Sequence, residues 1–419
     1  MKIVGLITEY NPFHNGHKYH IEQALKQTGA DYAVVLMSGN FVQRGAPAIM
    51  PKHLRTRAAL SAGASLVLEL PVCCACGSAE YFARGAIEIF DALGCIDSIC
   101  FGSECGNVEK LDQIARILSE EPEEFRRSLQ KNLKNGLPFP AAREMALAEY
   151  TGDPDLAEIL DCPNNTLGIE YLKALHRTGS NLKAFTIKRK ESGYHDTELS
   201  GTLSSASAIR HLLVEPEGMT HKETGAILPE ILNDQIPASS FAIMEENYLK
   251  RFPVFANDLS LLLKYRLLSE TRESLTQYAD VTTDLANRIM NRCNELISWD
   301  QFCELLKTRE VTYTRISRIL LHILLNIHQK NMDDYARTTF AQYARILGFC
   351  KKDAGLLTVL HEHSRIPLIT KLNTAPPLSG EAVAMLRQDL FASDLYESVI
   401  TNKYGTPFIP APSQPLVIL

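Results

Sequence analysis

The sequence predicts an α/β domain built on a parallel sheet covered on both faces, followed by an all-α C-terminal domain. Three observations carry this. Short, nearly continuous apolar runs alternate with helical patterns through residues 1–215. Unusual polar residues cluster just after several of those runs. From about Glu215 onward the strand pattern vanishes and only helical apolar spacing remains.

Taken in order, the strands are Ile3–Ile7, Tyr32–Met37, Ser65–Leu70, Ile96–Phe101 and Leu182–Ile187. Their apolar residues do not alternate with polar ones, so both faces of each must be buried, which is the signature of a parallel sheet. Helices are expected near His14–Gln27, Lys52–Ala62, Glu80–Leu93 and Val108–Leu118. A helical insertion occupies about 120–160, chiefly Glu123–Tyr150, and Asp161–Thr166 opens a further helix running through Leu175. In the second half, 216–419, Leu259–Leu268, Leu285–Ile297, Arg315–Leu325 and Ala341–Leu347 carry helical spacing. The last stretch, Pro407–Leu419, has four prolines in its first nine residues, and reads as an extended tail or as disorder.

With 419 residues the chain exceeds one small core, and its hydrophobic content of 45% and charge of 22% are those of a globular protein. A net charge of −6 argues against a uniformly basic surface, though not against a local basic patch. Ten cysteines in so long a chain are no disulfide framework. Met1-Lys2 runs straight into a strand, and no apolar stretch is long enough to cross a bilayer; a reducing cytoplasm is the expected location, with no membrane partner.

In a doubly covered parallel sheet, ligands bind at the carboxyl ends of strands where the strand order reverses. Thr8–His17 follows the first strand, Ser38–Gly45 the second and Gly102-Ser103-Glu104 the fourth. Within the first, His14-Asn15-Gly16-His17 places two imidazoles three residues apart, on one face of a helix start. That start offers free N–H groups and a positive dipole end to an anion, and Gly16 removes a side chain where phosphates would approach. The competing reading is that one imidazole merely caps the helix.

The string Ile7-Thr8-Glu9-Tyr10-Asn11-Pro12-Phe13-His14-Asn15-Gly16-His17 contains the HxGH signature of the nucleotidyltransferase superfamily, whose fold is Rossmann-like. Together with Met37–Gly45, Glu69-Leu70-Pro71, Phe101–Glu104, Pro163–Tyr171, Ile187-Lys188-Arg189, Gly193–Asp196 and Ser204–Arg210, it closely resembles the tRNA(Met) cytidine acetate ligase family. The match runs in order through the first domain; the helical half fits by position and type only. The resemblance implies an ATP-dependent enzyme that forms acetyl-adenylate and pyrophosphate. It then transfers acetyl to the exocyclic amine of the wobble cytidine of elongator tRNA(Met). Relatives sharing HxGH also suggest an alternative, a nucleotidyltransferase acting on a small phosphorylated metabolite.

The same resemblance implies His14, His17 and Arg189 as the catalytic groups. Contact with the nucleotide or acid falls to Ile7, Thr8, Glu9, Tyr10, Asn11, Gly16, Gly102, Ser103, Asn165, Lys188, Ser205 and Arg210. Glu9 has two readings, holding a metal-bound water or pairing with a cation. Asn165 either reads an adenine edge or caps its helix, and Gly102-Ser103-Glu104 either contacts the nucleoside or is a plain strand-ending turn. The usual Thr of the Ser/Thr-rich segment is replaced at Ala206 or displaced to Ser207. Mg²⁺ is expected to accompany ATP, held mainly by phosphates and water. Arg44, Lys52, Arg55 and Arg57 form one cationic cluster, and Arg315, Arg318, Lys330, Arg337, Arg345, Lys351 and Lys352 a second; each reads either as a tRNA track or as solvated charge. Cys73, Cys74 and Cys76 lack a second ligand pair at metal spacing and read as buried thiols, Trp299 reads as core, and His195 as a substrate contact or a loop fastener.

Overall fold

The computed structural model describes residues 1–189, 205–213, 228 and 230–419. Ten strands are present among them: β1 (Ile3–Thr8), β2 (Tyr32–Ser38), β3 (Phe41–Val42), β4 (Ala46–Pro47), β5 (Leu66–Leu70), β6 (Ser98–Ser103), β7 (Lys183–Lys188), β8 (Ala344–Phe349), β9 (Leu368–Ile369) and β10 (Val417–Ile418). The main sheet runs in the order β10-β8-β5-β2-β1-β6-β7, with β9 beside β8, while β3 and β4 form a separate small hairpin. The pairs β1–β2, β2–β5, β1–β6 and β6–β7 are all parallel.

Chain order reverses at β1, which has β2 on one side and β6 on the other. The crevice for a ligand is therefore the carboxyl end of β1 and β6. Successive β1 residues feed opposite cores: Ile3 joins the cluster under the helix Ala79–Leu93, whereas Val4 and Leu6 pack with Ile21 of the helix Asn15–Thr28 and Ala58 of the helix Lys52–Ser61. Both faces being apolar, the strand shows no alternation in sequence.

The first-half expectations match to within a few residues, and the insertion consists of the helices Glu123–Lys134, Phe139–Thr151 and the short Pro154–Glu158. The second half is mainly helical, with one correction. Ala341–Leu347, read as helix, belongs to β8, which pairs antiparallel with β5. The tail ends in β10, parallel to β8, so it is packed on the body. Residues from both halves thus build one sheet, and position 215 falls outside the described residues. Trp299 is fully buried and its indole N–H donates to Ser317 Oγ at 2.8 Å, which confirms the core reading.

Charge is buried at the seam where β8 joins. Lys52 Nζ lies 2.7 and 3.0 Å from the Glu69 oxygens, and Arg345 Nη1 lies 3.1 Å from Glu69 Oε2. Burial alone would raise the Glu69 pKa, yet Lys52 and Arg345 hold it below the ordinary carboxylate value. Lys52, Arg345 and also Arg55 are therefore internal and do not lie on any outer RNA track.

Candidate active site

His14 is the N-cap of the helix Asn15–Thr28, and both histidines take part in the cap. The Gly16 N–H donates to His14 Nδ1 at 3.1 Å, and the His14 N–H donates to His17 Nδ1 at 3.3 Å. Both imidazoles, and not one alone, thus take part in the helix cap. A ring nitrogen that accepts a hydrogen bond carries no proton, so each neutral imidazole keeps its proton on Nε2. The rings stack with centroids 3.7 Å apart. A Cβ at Gly16 would stand 2.9 Å from His14 Cε1, so glycine here makes room for the imidazole itself.

Charge around the pair is cationic. Burial first, then Arg189 and Arg210, push His14 down to about 3. Burial, then His14, Arg189 and His20, lower His17 as well. Two donors thus stay neutral while arginines supply positive charge. The sequence reading missed His20, three residues further along the same face. Its Nε2 is buried without a hydrogen-bond partner among the described residues, and burial followed by Arg189 lowers the His20 pKa to about 4. The recurring spacing of His14, His17 and His20 was the available signal.

Arg189 is exposed just beyond β7, its N–H held by the Ser103 carbonyl at 2.9 Å, and exposed Lys188 precedes it. Arg210 reaches across from the helix Ala206–Leu212 to the Asn11 carbonyl at 2.7 Å and to Ser207 Oγ at 3.0 Å. Ser205 caps that helix, accepting from the Ala208 N–H at 3.1 Å. His195, its neighbours Gly193, Tyr194 and Asp196, and Ser204 lie outside the described residues.

The turn after β6 is built from its own polar groups. Ser103 is fully buried, 2.7 Å from Thr186 Oγ1, and accepts from the Gly106 N–H at 3.0 Å. Asn165 Oδ1 accepts from the Glu104 and Cys105 N–H groups at 2.9 and 3.1 Å, and its Nδ2 donates to the Ile159 carbonyl at 3.1 Å. Glu104 in turn receives the Asn164 and Asn165 N–H groups at 3.3 and 2.9 Å, placing a carboxylate at the N-terminus of the helix Pro163–Thr178. Ser103 and Asn165 therefore hold the turn together through these hydrogen bonds. Gly102 is half-buried beneath Arg189, whose Cγ lies 3.5 Å from where a Cβ would be.

The loop after β1 combines fixed and buried groups. Tyr10 turns the chain with φ 48°, a left-handed conformation rare for an aromatic residue, and the Asn11-Pro12 peptide is cis. Asn11 Oδ1 accepts from the Ile49 N–H at 2.7 Å and Glu9 Oε1 from the Gln43 N–H at 2.9 Å. One Glu9 oxygen is thus tied to backbone, while its charge acts on Arg55. Arg55 donates to the Met50 carbonyl at 2.9 Å, to the Glu9 carbonyl at 2.5 Å, to the Ser38 carbonyl at 3.1 Å, and to the Gly39 carbonyl. Fully buried, it clamps the ends of β1 and β2 together. Ile7 is partly buried in the core. The Thr8 and Tyr10 hydroxyls are buried, and burial raises the Tyr10 pKa against the opposing influence of the Thr8 hydroxyl beside it.

Of the remaining cations, Arg57 is exposed and pairs with Glu246 at 3.0 Å, and Arg337 pairs with Asp334 at 3.6 Å. Cys73, Cys74 and Cys76 are buried free thiols, and no group of three or more His, Cys, Asp or Glu able to hold a metal occurs among the described residues. Nor is any described helix long and apolar enough to cross a membrane.

The chain as a whole has counterparts among known proteins. The family described as HIGH Nucleotidyl Transferase matches residues 1–407. A tRNA(Met) cytidine acetate ligase from Acetivibrio thermocellus is 44% identical over 405 residues, covering 96% of each chain. One from Alkaliphilus metalliredigens is 40% identical over 413 residues, covering 96% of this chain and 95% of its own. Among solved structures, apo TmcAL from Thermotoga maritima superposes with a TM-score of 0.91 at 31% identity, and the same protein bound to alpha-thio ATP with 0.87 at 30%, each covering 100% of both chains. The helix-capping histidine pair at the sheet's reversal point thus sits in a chain that belongs to the tRNA(Met) cytidine acetate ligase family of HIGH nucleotidyl transferases.

Proposed function

We propose that this protein is an ATP-dependent acetate ligase that acetylates the wobble cytidine of elongator tRNA(Met), giving N4-acetylcytidine. The observation that carries the reading is the tautomer lock: backbone N–H groups occupy both Nδ1 atoms, leaving His14 and His17 as Nε2–H donors at a helix N-terminus. The relatives' names supply the acid and the RNA, and the alpha-thio ATP complex of the Thermotoga maritima protein supports the nucleotide.

In the first step an acetate oxygen attacks the α-phosphorus of ATP while the bond to the bridging oxygen of pyrophosphate breaks. Negative charge grows on the departing pyrophosphate, where the two imidazole donors and Arg189 stabilise it. Loss of one preorganised donor of this kind costs about 10²–10³ in rate. In the second step the cytidine exocyclic nitrogen attacks the acetyl carbonyl and AMP departs. Thr8, Asn11, Gly16 and Tyr10 line the floor, and Lys188, Ser205 and Arg210 face the phosphates. Mg²⁺ would arrive on ATP, held mainly by phosphates and water. The helical second half carries the RNA.

Incubation with ATP, Mg²⁺ and labelled acetate, with and without elongator tRNA(Met), tests the proposal. Label on the wobble cytidine together with pyrophosphate release supports it. Pyrophosphate release with unlabelled RNA removes the acceptor, and absence of ATP turnover removes the enzyme.

A further inference from the structure

The hairpin β3–β4 is held from two sides. Toward the active site, the Gln43 N–H donates to Glu9 at 2.9 Å. Toward the helical half, Ser317 Oγ donates to the Gly45 carbonyl at 2.8 Å and itself receives the Trp299 indole N–H. Gly45 has φ 79°, and a Cβ there would stand 2.3 Å from the Arg318 backbone nitrogen. The hairpin therefore rests directly on the backbone of the helix Tyr313–Leu324, an approach that only glycine permits.

That approach brings Arg44, exposed beside Gly45, to the helix turn carrying Arg315 and Arg318. Arg315 is exposed and Arg318 half-buried, three residues apart on one helix face. The guanidiniums of Arg315 and Arg318 form no ion pair at 4.0 Å or less with any described carboxylate, and Arg318 Nε is buried without a hydrogen-bond partner among the described residues. Burial lowers the Arg318 pKa, Asp280 opposes this from beyond pairing distance, and Arg315 adds to the lowering. A partly desolvated arginine beside a like charge, with no carboxylate within pairing distance among the described residues, is costly unless an anion completes it. The helix adds its N-terminus, capped at Thr312, one turn away.

We infer that Arg44, Arg315 and Arg318 form a cradle for RNA phosphates beside the active-site mouth, holding the acceptor strand while its base enters the site. This rests on the tRNA reading under Proposed function. Of the two basic concentrations in the sequence, the cradle takes the members that share one surface and leaves out the internal Lys52, Arg55 and Arg345. Guanidiniums suit the task, since each can bind a phosphate bidentately.

The test is fluorescence anisotropy of labelled elongator tRNA(Met) across a salt series, with Arg315→Gln, Arg44→Gln and the Arg315→Gln/Arg318→Gln double variant. ATP affinity measured without RNA, and thermal melting, report whether each variant keeps its nucleotide site. The cradle predicts about tenfold weaker RNA binding in the exposed single variants. It also predicts a log–log salt slope shallower by about 0.7–0.9 for each phosphate that is no longer neutralised, and substantial retention of affinity in Arg315→Lys. RNA affinity and salt slope unchanged in Arg315→Gln and Arg44→Gln would overturn it, whatever the double variant does. Failure of the unmodified protein to bind RNA at all would overturn the acceptor reading, a different result from intact binding that ignores these arginines.

Discussion

His14 and His17 stack at 3.7 Å between ring centroids while each spends its Nδ1 on a backbone N–H of the same helix start. The helix cap thereby fixes which nitrogen of each ring is free to donate. Long-range ¹⁵N NMR of the histidine side chains at neutral pH is expected to show both in the Nε2–H tautomer. A protonated Nδ1 on either ring would break the link between cap and catalysis.

Gly16→Ala tests the space that the stack requires. Its Cβ would press on His14 Cε1, so the ring must move. The expected result is a fall of about 10² in pyrophosphate release, of the size seen when one donor is misplaced. The thermal midpoint should change little, because alanine favours the helix relative to glycine.

Asn165 separates scaffolding from nucleotide recognition. Its amide is spent on Glu104, Cys105 and Ile159. Asn165→Ala leaves buried groups unsatisfied and should cost about 1–3 kcal/mol of stability per orphaned group, read from a denaturant midpoint. The preference for ATP over GTP should stay as it was. A collapse of that preference without loss of stability would restore the role of adenine reader.

Acid sensitivity follows from the histidine cluster. In the folded protein His14 titrates near 3 and His20 near 4, against about 6.5 in the unfolded chain. Between roughly pH 4 and 6.5 the unfolded chain binds protons that the folded one refuses, so stability rises with pH across that window and is lost as pH falls through it. Melting temperature should drop from pH 7 to pH 5, and the drop should shrink in a His14→Asn/His20→Asn double variant. A flat profile in the unmodified protein would contradict the burial-driven shifts.

How much of this was legible in the sequence depends on whether local pattern or distant partner decides the matter. The parallel strands and the helix start at His14 were readable because burial on both faces and capping leave local traces. Ala344–Phe349 was not. A short apolar run fits a buried helix or a strand equally, and only pairing with β5 settles it, although Gly348 was a hint against helix. Arg345 and Lys52 looked like surface charge because their shared partner, Glu69, sits on a different element and meets them only in the folded sheet. Ser103 and Asn165 carry groups that suit a ligand or a turn alike, and only three-dimensional neighbours show the turn contacts they make.

The most direct test is rapid-quench measurement of pyrophosphate release from ATP and acetate, without RNA, by His14→Asn. Asparagine is a strong N-cap, so the helix start and the melting temperature should be retained while the Nε2–H donor is lost. The account predicts a rate lower by about 10²–10³ in a protein as stable as the original. Release at the original rate would mean that the histidine only caps the helix, and the proposed chemistry would lose its donor.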